Sequence, residues 1–316
     1  MEKQYIFGPV PSRRLGISLG VDLMPHKTCS LDCVYCECGE TTVLTTERKE
    51  YIPTADILRQ LDAVLERGPE LDYITFSGAG EPTLHSGIGD IIRHIKNKYP
   101  HYKICLLTNG TLLGDAALAE ELRCLDLIIP SLDATSDDEL AKVNRPAPGI
   151  SARALIDGLA EFRKSSPCEF WLEVFIVPGV NDSDKSLASF VEAAQKIMPD
   201  KIQLNTLDRP GCVDWIKPAS EEVVARFVRE LEHVAPVEAV GKFSRKTPEA
   251  DNIVPLSELE GRLIELVNRR PCTLEDISFA LGVDDGELKE CLFKLKKSGR
   301  LVEESSERGV FYRGLA

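Results

Sequence analysis

From about residue 17 to residue 243, short apolar runs alternate with amphipathic stretches, and few folds accept that alternation. ISLGVDL, YITFSG, KICLLTN, LIIPSLD, FWLEVFIV and KIQLNTL are short and rich in Ile, Leu and Val, as buried strands are. Between them lie TADILRQLDAVLER, GIGDIIRHIKNK, DAALAEELRC, SARALIDGLAEFRK and SDKSLASFVEAAQKI. These carry apolar residues at helical spacing, and several open on Thr, Asp or Ser as N-caps. Strands separated by helices pair in parallel through right-handed crossovers. The expected fold class is α/β, a partial (β/α)6 TIM-like barrel, with an open doubly wound sheet as the second choice.

Near residue 250 the pattern changes. TPEADNIVP is polar and carries two prolines, the composition of a linker. Then come SELEGRLIELVNRR, TLEDISFALG and DDGELKECLFKLKKSG, with helical spacing, followed by RLVEES and GVFYRG around a polar turn. Three helices and a hairpin predict a small C-terminal winged helix-turn-helix. The expected division is a barrel over residues 1–246, a linker over 247–256 and a winged helix domain over 257–316. A chain of 316 residues with 43% hydrophobic content can build one large core and one small one. No segment reaches the roughly eighteen apolar residues of a membrane span, and MEKQYIFGPVPSRR lacks a secretory apolar run. The expected location is cytoplasmic, with no membrane partner.

KTCSLDCVYCECG, residues 27–39, holds four of the ten cysteines. In a reducing compartment such crowding points to metal or redox chemistry rather than disulfides. Cys105, Cys124, Cys168, Cys212, Cys272 and Cys291 are scattered in apolar or helical contexts, where buried inert thiols are the rule. Cys29, Cys33 and Cys36, spaced C-x3-C-x2-C, follow the first barrel strand. That loop opens at the C-terminal face of the strands, where barrel active sites lie. Three thiolates suit a four-iron cluster that leaves one iron without a protein ligand. The competing reading is a structural zinc site with Cys38 as fourth ligand, but the C-x-C step is awkward for tetrahedral chelation. Cys38 is expected to be a neighbour of the cluster.

C-x3-C-x2-C with the aromatic Tyr35 before the last cysteine resembles the signature of the radical S-adenosylmethionine (SAM) superfamily. The resemblance implies that Cys29, Cys33 and Cys36 bind a [4Fe-4S] cluster and that Tyr35 belongs to the cofactor site. It implies that the amino and carboxylate groups of SAM chelate the fourth iron. One-electron reduction, by a low-potential donor such as ferredoxin or flavodoxin, then yields a 5'-deoxyadenosyl radical that abstracts hydrogen.

SGAGEPTLH, residues 77–85, is similar to the family's glycine-glycine-glutamate motif, with Ala79 where the first glycine is expected. There Gly80 and Glu81 are implied to meet the SAM amino group. Asn109 in TNGT offers an amide to a ribose or carboxylate, although Asn-Gly is also a favoured turn. Ser131 and Asp133 in PSLDAT lie two apart, on one face of a strand, where the family meets ribose hydroxyls or the SAM carboxylate. The plainer reading of Asp133 is a helix cap. IVPGVNDSD, residues 176–184, resembles the loop whose backbone reads adenine. Asn144 and Arg145 in KVNRPAPG sit in a loop, where the guanidinium meets either a carboxylate or solvent. FGPVPSRRLGISLGVDLMPHKTC and QLNTLDRPG resemble a branch related to the tRNA wyosine-base synthases, over roughly the first 210 residues. Arg13 and Arg14 are candidates to hold an anionic substrate or SAM, or else pair with acidic surface groups.

A winged helix suggests nucleic acid, but charge disfavours it. Net charge is -13, and residues 255–316 carry ten Lys plus Arg against twelve Asp plus Glu. The third helix opens on Asp284, Asp285 and Glu287, where a recognition helix would meet bases. Cysteines for the synthases' second cluster are not visible, so their substrate does not transfer. The leading expectation is hydrogen abstraction from an unidentified substrate, a small metabolite or a protein or peptide, with the winged helix contacting a protein partner. A tRNA or RNA base-modifying enzyme is the alternative. A winged-helix regulator sensing Fe-S or SAM is the reading from another class. Cys38, Cys105, Cys212 and the tyrosines are the candidate hydrogen donors.

Overall fold

The structure, a computed structural model, describes residues 3–12, 14–240, 256–306 and 309–315. Arg13 and residues 247–255 of the expected linker lie outside the described residues.

The first part of the chain runs β1 (Ile6–Ser12), β2 (Gly16–Val21), β3 (Thr28–Cys29), β4 (Val43–Leu44), α1 (Thr54–Leu65) and β5 (Tyr73–Phe76). A 3-10 turn (Pro82–Leu84) precedes α2 (Ile88–Lys98), β6 (Ile104–Thr108), α3 (Ala116–Glu121), β7 (Leu127–Pro130), α4 (Asp137–Val143) and α5 (Ala152–Ser165). Then come β8 (Glu169–Ile176), α6 (Asp184–Ile197), β9 (Lys201–Thr206), α7 (Glu221–Leu231) and β10 (Val237–Ala239). The sheet order is β1-β2-β5-β6-β7-β8-β9-β10, open at both edges. Every pairing in it is parallel except β1 with β2. This is an α/β fold with a mostly parallel sheet, consistent with a partial barrel.

The apolar runs named from the sequence form its six central strands, β2 and β5 to β9. The edge strands β1 and β10 and the helix α7 were not foreseen, and α4 was foreseen only as the helix that Asp133 would cap. Ser136, Ser151, Ser183 and Ser220 cap α4, α5, α6 and α7 by accepting from a backbone N–H three residues on. Strand β8 makes the two faces plain: Phe170, Leu172, Val174 and Ile176 join the buried core, while Trp171, Glu173 and Phe175 alternate with them. From the opposite side Ile57 and Leu61 of α1 and Ile91, Ile92 and Ile95 of α2 complete that core.

The C-terminal part contains α8 (Leu256–Arg269), β11 (Cys272–Thr273), α9 (Leu274–Leu281), α10 (Asp285–Lys297), β12 (Leu301–Ser306) and β13 (Gly309–Gly314). The three strands form their own antiparallel sheet in the order β11-β13-β12. Leu263, Val267, Ile277, Leu288 and Leu292 anchor a core separate from the barrel's. No helix among the described residues is long and apolar enough to cross a membrane.

Candidate cluster and cofactor site

The cysteine loop follows the C-terminal end of β2 and is stitched to the loop after β5. Lys27 N donates to Ala79 O at 2.7 Å, and Glu81 N donates to Thr28 O at 3.1 Å. Gly80 is required by that approach, since a β-carbon there would run into Thr28 O and lie 2.8 Å from Met24 Cβ. The small residues of SGAGEP thus let the motif approach its own chain, rather than a ligand alone. On the other side Thr45 N donates to Cys29 O at 2.9 Å, tying β4 to β3.

Each of the three spaced cysteines has a nitrogen donor reaching it from its side chain's surroundings. Asn109 Nδ2 lies 3.5 Å from Cys29 Sγ, Asn144 Nδ2 lies 3.3 Å from Cys33 Sγ, and Lys27 Nζ lies 3.0 Å from Cys36 Sγ. Burial, then the nearby Glu81 carboxylate, pushes the Cys29 thiol up to about 12. Burial and Asp133 raise Cys33. Cys36 goes the other way: hydrogen bonds from the Cys212 and Cys38 thiols, with the Lys27 ammonium, hold it well below the ordinary thiol range. Among the described residues, no three His, Cys, Asp or Glu side chains are grouped so as to hold a single metal ion. A tetrahedral zinc site needs such convergence, whereas cluster thiolates each take a separate iron.

Glu81 is 2% exposed, and its carboxylate ties the ends of β5 and β6 together. Its Oε1 accepts from Thr83 N at 3.0 Å and from the hydroxyls of Thr83 and Thr108, each at 2.6 Å; Oε2 accepts from Asn109 N at 2.8 Å. Burial raises its pKa and these hydrogen bonds oppose the rise. Asn109 Nδ2 also donates to Ser30 Oγ at 2.8 Å, and its Oδ1 accepts from Thr111 N at 3.1 Å. The following Gly110 takes φ +76°, so the favoured Asn-Gly turn is present and also presents the amide to the cysteine loop.

Ser131 and Asp133 lie beyond the last residue of β7, and Ser131 still bridges in parallel to Glu173. Asp133, 2% exposed, accepts from the Tyr35 hydroxyl, from Asn144 Nδ2 at 2.8 Å and from Phe175 N at 2.9 Å. Ser136, not Asp133, caps α4, so the helix-cap reading of Asp133 is corrected. The Tyr35 ring stacks on Phe175. In the 176–184 loop, Asn181 Nδ2 donates to Asp133 O at 2.8 Å and to Phe175 O at 2.7 Å. Arg145 pairs with Asp32 at 3.4 Å, the carboxylate option of the two foreseen. Arg14 pairs with Glu173 and precedes the N-terminal end of β2, the end opposite the cysteine loop.

The segment after β9 lies across the cysteine loop. Cys212 N donates to Val34 O at 3.1 Å, and its thiol donates to the carbonyls of Cys33 and Cys36, each at 3.3 Å. Arg209, 4% exposed, meets both oxygens of Glu37 at 3.1 and 3.2 Å and approaches Asp276 of α9 at 3.7 Å. Lys27 and Arg209 went unassigned in the sequence, and Cys212 was named there only as a scattered thiol and a candidate hydrogen donor, because their partners in the fold are 9, 172 and 176 residues away. Asn144 was visible there as a loop residue, without its thiol.

Residues 23–191 match the family model of the radical SAM superfamily. The chain belongs to the radical SAM superfamily. Its members are enzymes that use a [4Fe-4S] cluster and SAM, an electron donor and a substrate. The chain is 38% identical over 223 residues to a UPF0026 protein of Synechocystis sp., covering 70% of this chain and 80% of that protein. It is 34% identical over 305 residues to a protein of Brachyspira hyodysenteriae named GTPase Obg, covering 96% of this chain. The match spans 44% of that relative's length, less than half. A radical SAM methyltransferase from Sphaerobacter thermophilus shares the fold, with a TM-score of 0.55 and 20% identity, over 71% of this chain and 66% of that one.

Proposed function

We propose that Cys29, Cys33 and Cys36 hold the [4Fe-4S] cluster and that Tyr35, Gly80, Glu81, Asn109, Ser131 and Asp133 form the SAM site beside it. The enzyme then abstracts hydrogen from an unidentified substrate, a small metabolite or a protein or peptide. The observation that carries this reading is the set of three nitrogen donors, Asn109, Asn144 and Lys27, one to each cysteine of the motif. Inert buried thiols have no need of such donors, whereas cluster thiolates are stabilised by hydrogen bonds to sulfur. A second observation fits a polar cofactor: Asn144 Oδ1 is buried without a hydrogen-bond partner beside Cys33 and Asp133.

When bound, the cluster and SAM supply a 5'-deoxyadenosyl radical on one-electron reduction by a donor such as ferredoxin or flavodoxin. The chain's residues do the positioning. Glu81 braces the ends of β5 and β6, so that Gly80 and Asn109 keep a fixed separation from the cysteine loop. Asp133 holds Tyr35 and Asn144, and the Phe175 stack fixes the plane of the Tyr35 ring. The strap around Cys212 covers the loop's far side.

We assign residues 1–246 to the barrel domain and 257–316 to a winged helix domain, from α8, α9 and α10 followed by the β12–β13 hairpin. A protein-contact role suits it better than nucleic acid. Lys294 pairs with Glu290 at 2.7 Å, Lys296 with Glu303 at 2.5 Å, and Arg300 with Glu260, so three of the four basic groups at this end of α10 face carboxylates of the chain itself. No such observation favours the tRNA-modifying or regulator readings.

Anaerobic reconstitution followed by dithionite and SAM is expected to release 5'-deoxyadenosine. Colourless protein, or no nucleoside above the blank, contradicts the reading. Added tRNA is expected to leave SAM turnover unchanged.

A further inference from the structure

Lys27 is a buried cation built into the cysteine loop. It is 3% exposed, and its Nζ lies 3.0 Å from Cys36 Sγ, with Cys29 and Cys38 also within its electrostatic reach. Among the described residues no carboxylate pairs with it. A charge taken out of water without a partner is costly, so the site must supply an anion. The anion available there is the thiolate set of the loop itself.

The lysine cannot easily move away. Its backbone takes φ +55°, a left-handed conformation unfavourable for a residue with a β-carbon. Four hydrogen bonds hold it there: its N–H donates to Ala79 O at 2.7 Å, and its carbonyl accepts from Thr42 N at 2.9 Å, Val43 N at 3.1 Å and the Thr42 hydroxyl at 3.2 Å. Such strain persists where the surroundings over-determine it, and functional sites are where it gathers.

We propose that Lys27 is a tuning residue that raises the reduction potential of the cluster held by Cys29, Cys33 and Cys36. The inference rests on the cluster reading above. Reduction adds a negative charge to the cluster, and a fixed ammonium at one of its thiolates stabilises the reduced form more than the oxidised one. A hydrogen bond to the Cys36 sulfur acts in the same direction. Lys27 thereby sets which low-potential donors can deliver the electron. It does so without touching substrate, so its signature is a potential and not a binding constant.

The test is an EPR-monitored redox titration of the anaerobically reconstituted full chain, with iron and sulfide measured first. Wild type is compared with Lys27→Met, Lys27→Gln and Lys27→Arg. The two neutral variants are expected to shift the one-electron equilibrium by about tenfold or more toward the oxidised cluster, a fall of about 59 mV or more. Lys27→Arg, which keeps the charge, is expected to stay near wild type. Neutral variants that carry a full cluster at the wild-type potential overturn the proposal, as does an equal fall in all three. Should the neutral variants take up no iron, loading of Lys27→Arg at the wild-type potential supports the role of charge; failure of all three overturns it, since packing is then what the position requires. Wild type without a cluster refutes the cluster reading itself, whereas loaded wild type with unshifted variants refutes the role of Lys27 alone.

Discussion

The Tyr35 ring lies flat on the Phe175 ring, with centroids 3.8 Å apart and planes 7° from parallel. The tyrosine comes from the cysteine loop and the phenylalanine from β8, so the stack pins the loop to the sheet. The Tyr35 hydroxyl donates to Asp133, which is buried and accepts two further hydrogen bonds. Tyr35→Phe keeps the stack and removes one donor from that carboxylate. It is expected to cost about 1–3 kcal/mol in the apoprotein, measured by urea unfolding, because the loss falls on a buried charged group.

Cys38 and Cys212 crowd Cys36 without belonging to the spaced motif. Cys29→Ala, Cys33→Ala and Cys36→Ala are each expected to abolish a full complement of iron and sulfide. Cys38→Ala and Cys212→Ala are expected to retain it. Elemental analysis after anaerobic reconstitution checks both halves, and full loading of Cys33→Ala contradicts the ligand assignment.

His85 is fully buried, with Nε2 2.7 Å from Ile52 O and Nδ1 accepting from Gly87 N at 3.0 Å. That pairing needs the neutral ring, and burial lowers its pKa from the ordinary 6.5. A depressed folded pKa contributes stability that is present above pH 6.5 and lost as pH falls toward the folded value. His85→Gln can make both hydrogen bonds and does not titrate. Apoprotein melting is expected to drop more steeply in wild type than in His85→Gln below pH 6.5, by at most about 1.4 kcal/mol per pH unit.

Arg209 stands between Glu37, inside the cysteine motif, and Asp276 of α9. Arg209→Met removes a buried cation that both carboxylates face. It is expected to cost about 2 kcal/mol. Hydrogen exchange is expected to speed up in residues 33–38 and in α9 together, while α1 and α2 stay as protected as in wild type.

The central strands were legible because burial on both sides leaves unbroken apolar runs, as in ICLL of β6 and LII of β7. Edge strands have no such signature: β1 carries two prolines, and β10 is three residues long. The cysteine motif was legible because its ligand spacing is local. The donors around it were not, since Asn109 and Asn144 lie 80 and 111 residues from the thiols they reach. Asp133 was singled out as a candidate for its position at the fourth predicted strand, but its three donors come from the cysteine loop, a loop after α4 and strand β8. Only the fold brings them together.

The central claim is that three thiolates leave one iron open for SAM. Electron-nuclear double resonance of the reduced cluster with SAM carrying a 15N-labelled amino group tests it most directly. A 15N coupling to the cluster that depends on added SAM is predicted. A cluster capped by four protein ligands, with no coupling from the label, would contradict the account.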